Sequence, residues 1–158
     1  MNQLPNNWIP HVTVAAIVQH NEQFLMVEEK INAQRVINQP AGHWERSESL
    51  IEAVKRETLE ETACIVEAEY LIGIYNWTIP ENENAATTTD TFLRFTFKCR
   101  FLEDTNAELD PDIHRRMWLS EQQIRSTDYQ KRSPLVLRSL NDCIKGKNYP
   151  LDLFIDIK

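Results

Sequence analysis

Apolar and β-branched residues crowd the segment His11 to His20, HVTVAAIVQH, which predicts a buried strand. Asn21-Glu22 marks a turn, and Gln23 to Glu29 returns as a second strand with Phe24, Leu25 and Val27 as candidate core residues. Ile31 to Gln39 leads into Pro40-Ala41-Gly42, where Pro and Gly force the chain to turn. From Leu50 to Thr62 no Gly or Pro interrupts helical geometry, and Ser49 and Glu52 stand at capping-box spacing. Leu50, Ala53, Val54 and Leu59 give that helix an apolar stripe for packing. Ile65 to Thr78 predicts a long strand kinked near Gly73, Pro80 to Thr89 a polar loop, and Thr91 to Leu102 a third long strand. Arg115 to Leu119 is a short strand, Ser120 caps a helix from about Glu121, and Ser133-Pro134 opens the last helix. The polar, Asn-rich Met1 to Pro10 reads as an N-terminal arm, followed by one domain over residues 11–158. The order of elements predicts an α/β protein with a mixed sheet held between helices.

The polar side of the first helix carries the candidate chemistry. Glu57, Glu60 and Glu61 stand at i, i+3 and i+4, so their like charges gather on one side near the helix C-terminus. Mutual repulsion and the helix dipole both oppose that arrangement. Two readings account for it. The carboxylates form a site for a hard divalent cation such as Mg²⁺, which takes oxygen ligands and keeps waters and substrate phosphates in its other positions. Alternatively they form a solvated acidic face neutralised by Arg56 and Lys55. Spacing alone does not separate the two.

The wider pattern favours the first. The segment from Gly42 to Cys64 resembles the Nudix box, G-x5-E-x7-R-E-U-x-E-E-x-G-U with U apolar, and Gly42, Glu48, Arg56, Glu57, Glu60 and Glu61 fall at its matching positions. Thr58 departs from it at a U position, and Ala63 replaces the Gly that normally ends the helix, which weakens the usual left-handed stop. The resemblance implies the Nudix α/β/α sandwich, with Glu57, Glu60, Glu61 and the Gly42 backbone carbonyl as ligands for Mg²⁺, or Mn²⁺ in its place. By the same analogy Glu57 orients or deprotonates a water, and Arg56 with Glu48 fixes the loop against the helix. Beyond the box, HVTVA, VEEKIN, NQPAGHWE, FLRFTF, RSPLV and YPL are similar to the bacterial phosphatase NudJ subgroup, over about His11 to Leu151. That likeness implies hydrolysis of nucleoside tri- and diphosphates and of thiamine-type pyrophosphates, including hydroxymethylpyrimidine pyrophosphate and thiamine diphosphate. Hydrolysis of nucleotide sugars, dinucleotides or RNA 5′ ends is the enzymatic alternative. A ligand-sensing domain is the non-enzymatic one, which the complete set of box charges disfavours.

Composition narrows the partners. With 158 residues, 42% of them hydrophobic, the chain is long enough for one domain with a real core. A net charge of −7 argues against a general nucleic-acid footprint, so no DNA is expected and an RNA end is disfavoured. A small phosphorylated metabolite is compatible, because a polyphosphate and several Glu side chains in one cleft repel unless a metal ion lies between them. The three cysteines are widely spaced and suggest neither a disulfide framework nor a zinc site. No signal peptide or long apolar run is present, which predicts a cytoplasmic protein without a membrane span, as a monomer or a homodimer.

Outside the box each candidate has two readings. Asp112 is an extra acidic ligand or ordinary Asp-Pro-Asp turn chemistry. Arg94, in an apolar strand, faces the cleft and holds a phosphate or pairs with a carboxylate. Gln39 and His43 touch substrate or satisfy loop backbone, and Arg35 and Lys30 meet phosphates or are solvated. Trp77 and Tyr75 stack on a ring of the substrate or belong to the core. Phe92, Phe95, Phe97 and Trp118 are assigned to the core.

Overall fold

The first long strand, β1 (His11–His20), is buried along most of its length and organises the molecule. The computed structural model describes residues 9–80 and 90–157; the first eight residues of the predicted arm and residues 81–89 of the predicted loop lie outside the described residues. The remaining elements are β2 (Gln23–Ile31), β3 (Gln34–Asn38), β4 (Ala41–His43), α1 (Leu50–Thr62), β5 (Cys64–Thr78), β6 (Thr91–Asp104), β7 (Ile113–Ser120), α2 (Glu121–Arg125), β8 (Gln130–Lys131) and α3 (Leu135–Ile144), with a short 3₁₀ turn at Leu151–Leu153.

One mixed sheet runs β5-β6-β1-β2-β3-β8, with β4 paired to β1 and β7 to β2. The β1–β6 and β3–β8 pairs are parallel and the others antiparallel. β1 and β2 pair only beside their turn, at Gln19–Phe24 and His20–Gln23. Beyond it β1 takes β4 as its neighbour and β2 takes β7, so the sheet divides into two wings. The gap between the wings is where the functional cleft forms.

The period-2 alternation of β1 explains both faces of the sandwich. Val14, Ala16 and Val18 pack with Ala53 and Val54 of α1. Ile17 packs with Ile124 of α2 and with Val136 and Leu140 of α3. A strand buried on both sides must read as an almost continuous apolar run, as this one does. Phe97 and Cys99 of β6 and Leu71 of β5 join the α1 side.

Helix α1 begins and ends for reasons visible in its residues. Ser49 accepts from the Glu52 N–H while the Glu52 carboxylate accepts from the Ser49 N–H, closing the capping box. Thr58, the polar residue at an apolar position, is buried and donates its hydroxyl to the Val54 carbonyl, so no polar group is left stranded. Ala63 takes the left-handed conformation itself, at φ 57°, and its N–H bonds the Leu59 carbonyl. The expected weakening of the helix stop is thus absorbed as strain rather than as altered geometry. An Ala63→Gly variant is expected to gain about 0.5–1 kcal/mol, since left-handed strain of about 1–2 kcal/mol is relieved and part of it is offset by a looser unfolded chain. A rise in the urea midpoint would show it. An unchanged midpoint would mean that the buried Ala63 methyl offsets the strain.

Three elements depart from the sequence expectation. The span from Ile31 to Gln39, read only as a lead into the turn, contains strand β3 after a tight turn in which Asn32 and Ala33 both have positive φ. Of the predicted turn at Pro40-Ala41-Gly42 only Pro40 bends the chain, because Ala41 and Gly42 pair with β1 as the short strand β4. Strand β8 is two residues long and has no hydrophobic signature. The predicted kink near Gly73 is present as a register shift between Leu71 and Gly73.

Candidate active site

Helix α1, strand β4 and the open ends of β1, β2 and β6 enclose a cleft of about 650 Å³, lined among others by Gly42, Glu57, Glu60, Glu61, Arg94 and Trp77. All three box carboxylates reach it, but their surroundings differ. Glu61 is only 8% exposed and accepts a 2.9 Å hydrogen bond from the Ala41 N–H. Burial pushes its carboxyl up to about 9, opposed by the Ala41 hydrogen bond and reinforced by the nearby charges of Glu29, Glu57 and Asp110. Glu57 is also raised, first by burial, against the pull of Arg56. Glu60 is half-exposed. An exposed acidic face would not bury Glu61, so the solvated-face reading fails for that residue. Lys55, its second proposed counter-ion, pairs instead with Glu67 at 2.9 Å.

Arg56 is the hub of this wall. Its guanidinium donates to both Glu48 oxygens, at 3.0 and 2.7 Å, and to the His43 carbonyl at 3.0 Å. It also reaches Glu57 at 2.8 Å and Glu60 at 3.2 Å. The expected Arg56–Glu48 pair is therefore present, and it ties the loop after β4 to α1. Glu48 holds that loop further by accepting from the Glu45 N–H. Its hydrogen bonds from Arg56 keep its carboxyl below the ordinary range.

The donor set suits a hard divalent cation. Every candidate ligand is an oxygen, and a cation would compensate the crowded negative charge that burial otherwise opposes. Gly42 supplies a second indication: a Cβ there would lie 2.0 Å from the Glu57 carboxyl carbon, so this carboxylate rests directly against the Gly42 backbone. Among the described residues no three His, Cys, Asp or Glu side chains converge as a ready coordination shell. Glu57 and Glu60 are turned to Arg56, and Glu61 to the Ala41 N–H.

The other candidates divide. Arg94, Asp112, His43, Lys30 and Trp77 all line the cleft. Asp112 also fulfils its turn reading, donating its N–H to the Asp110 side chain. His43 contacts the His11 ring, Nε2 to Nδ1 at 3.0 Å. Trp77 stacks at 5.7 Å on Phe92, which is itself a cleft wall and not the core residue expected, because β6 places it on the face of Arg94. Arg35 lies outside the cleft and pairs with Glu28 at 3.3 Å. Gln39 is buried away from the cleft, donating to the Val136 carbonyl and so anchoring α3. Tyr75 also points elsewhere, its hydroxyl bonding Asp142. Sequence reasoning missed Glu29, Asn38, Asp110 and Arg132, which line the cleft as well. Their only sequence signal was a polar residue at the end of an apolar strand or beside a turn.

A mixed sheet between α1 and the α2/α3 pair, with a box glycine, an arginine hub and three clustered glutamates at one cleft, defines a Nudix hydrolase. The NUDIX domain family matches residues 9–140, and the chain belongs to that family. It is 37% identical to Phosphatase NudJ of Escherichia coli K12 over 148 residues, 93% of this chain and 92% of the relative. A NUDIX hydrolase structure from Nitrosomonas europaea superposes with a TM-score of 0.86 at 40% identity, covering 94% of this chain and 98% of that one. A UDP-X diphosphatase superposes at 0.66 with 18% identity, covering 89% of this chain and 66% of that one, which speaks for the fold alone. The chain is accordingly a hydrolase of acid anhydrides in phosphorus-containing compounds. Nudix hydrolases act on small phosphorylated substrates and generally use divalent metals. Among the described residues no helix is long and apolar enough to cross a membrane.

Proposed function

We propose that this protein is a Mg²⁺-dependent phosphatase of nucleoside tri- and diphosphates and of thiamine-type pyrophosphates, hydroxymethylpyrimidine pyrophosphate and thiamine diphosphate among them. The observation that carries the reading is the wall on which Glu57, seated against the Gly42 backbone, lines one cleft together with Glu60 and Glu61. In this reading those three carboxylates and the Gly42 carbonyl hold Mg²⁺, or Mn²⁺ in its place. The bound cation would neutralise the phosphate charge and lower the pKa of a bound water. Glu57, the carboxylate seated against Gly42, orients the attacking water or takes its proton, and Arg56 with Glu48 holds the loop and helix in register. Arg94, His43 and Trp77 contact the substrate, with Asp112 as a further acidic ligand. The reading is of one domain over residues 11–158, acting in the cytoplasm on a small metabolite, as a monomer or a homodimer.

A polymer substrate is disfavoured by how the arginines are used. Arg100 faces Glu69, Arg115 pairs with Glu28, and Arg116 pairs with Asp104, so these three do not make a free basic groove.

The test is phosphate release over a panel of nucleoside di- and triphosphates, thiamine diphosphate, ADP-ribose and triphosphorylated RNA, with Mg²⁺, Mn²⁺ or EDTA. Simple pyrophosphates are expected to be cleaved, RNA ends poorly, and EDTA to stop the reaction. A preference for RNA ends or ADP-ribose would overturn the substrate assignment, and tight binding without turnover would favour the sensor.

A further inference from the structure

Beside the box carboxylates, the cleft ends in buried polar atoms that the protein leaves unsatisfied. Asn38 is 4% exposed and its Oδ1 accepts no hydrogen bond. The Oε2 of Glu29 also accepts none, although Arg132 Nε forms an ion pair with it at 3.7 Å. Arg94 is 9% exposed, yet among the described residues its one side-chain hydrogen bond is a long one from Nε to Thr13 Oγ1 at 3.4 Å, and Glu29 and Glu61 attract it without closing an ion pair. All three side chains line the cleft. The β2–β3 register places Val27 opposite Asn38 and Glu29 opposite Val36, so Glu29 and Asn38 are diagonal neighbours on one face. Buried polar groups are ordinarily paired, and groups left open at the end of a cleft call for a partner from the ligand.

The chemistry of the open atoms selects that partner. Two are acceptors, the Glu29 carboxylate and the Asn38 carbonyl, and beside them the Arg94 guanidinium is a donor with unused N–H groups. A phosphate would be attracted by Arg94 and Arg132, but it has no N–H to give and would leave the Glu29 and Asn38 oxygens facing its own. An amine next to a ring nitrogen satisfies all three, because the amine donates to Glu29 and Asn38 while the nitrogen lone pair accepts from Arg94. The stacked Trp77–Phe92 pair in the same cleft offers a flat apolar wall for a ring.

We propose that Glu29, Asn38 and Arg94 form the specificity wall of the cleft and read the amine edge of an amino-substituted nitrogen heterocycle. The proposal rests on the reading above, in which the substrates are organic pyrophosphates. It adds which part of the organic group is recognised and by which residues.

The experiment is calorimetric binding of nucleoside monophosphates, which have no anhydride to split, to the full chain in Mg²⁺ buffer. CMP is compared with UMP and AMP with IMP, so that each pair differs in the amine. In at least one pair the amino form is expected to bind roughly tenfold or more tightly, the scale of a hydrogen bond to a charged group. Asn38→Ala, which leaves Glu29 in place, should shrink that ratio by about fivefold, the scale of one neutral hydrogen bond. Glu29→Gln, able to turn an amide N–H to the ligand, should move the preference toward the oxo form. Equal binding within both pairs, an oxo preference in the unmodified protein, undiminished ratios in the variants, or no binding at all would overturn the proposal. Because each ratio is taken within one folded sample, a partial loss of folded protein does not imitate the result. Failure to hydrolyse any pyrophosphate would sink the hydrolase reading while leaving these ratios intact.

Discussion

Replacing Glu61 or Glu57 by glutamine is expected to lower metal-dependent phosphate release by roughly a thousandfold, the several kcal/mol that a bound cation contributes to charge stabilisation. The fold should persist in both variants. Glu61 is buried, and the glutamine carbonyl can still accept from the Ala41 N–H, so the variant replaces a buried carboxyl with a neutral group of the same shape and keeps its hydrogen bond. Glu57→Gln gives up an ion pair with Arg56, but Arg56 retains Glu48, Glu60 and the His43 carbonyl. The discriminating result is a melting temperature close to that of the unmodified protein together with lost turnover and weakened Mg²⁺ binding. Full activity in either variant would remove that carboxylate from the metal assignment.

A methyl group at Gly42 is expected to be almost as damaging, for a reason of space. Gly42 does not occupy the left-handed region, so alanine is compatible with its backbone. Its added Cβ would stand 2.0 Å from the Glu57 carboxyl carbon and 2.1 and 2.3 Å from the two oxygens. The obstacle is the far end of a flexible side chain, so the carboxylate moves and the fold survives. A displacement on the order of 1 Å at a reacting group costs about a hundredfold in rate. The Gly42→Ala variant should therefore fall by that factor in kcat with little change in melting temperature. Combining it with Glu57→Gln should add almost nothing, because both changes act on one carboxylate. Additive losses would show that Gly42 serves something other than Glu57.

Much of this fold is legible in local signals. β1 has an almost continuous apolar run, β5 and β6 are rich in apolar and aromatic residues, and α1 has its cap, its stripe and no breaker. The three short strands that were missed, β3, β4 and β8, lack such signals. β3 is five residues long and enters through Ala33 in a left-handed turn, a conformation alanine does not advertise. β8 exists because β3 offers it an edge. In the candidate site, the box residues stand close in sequence on one helix and its preceding loop, so their spacing reported their proximity. Glu29, Asn38, Arg94 and Arg132 come from four separate strands or loops, and no spacing relates them.

The sequence by itself determined the helix, its caps, the carboxylate cluster and the family to which they belong, because each is a matter of neighbours within about two turns of chain or of a fixed pattern. The division of the sheet into wings, the burial that separates Glu61 from Glu60, the assignment of Arg35 to Glu28, and the unsatisfied wall at the end of the cleft were decided only by tertiary structure. Burial and hydrogen-bond satisfaction depend on what packs against a side chain from distant parts of the chain, and residue order alone does not state that.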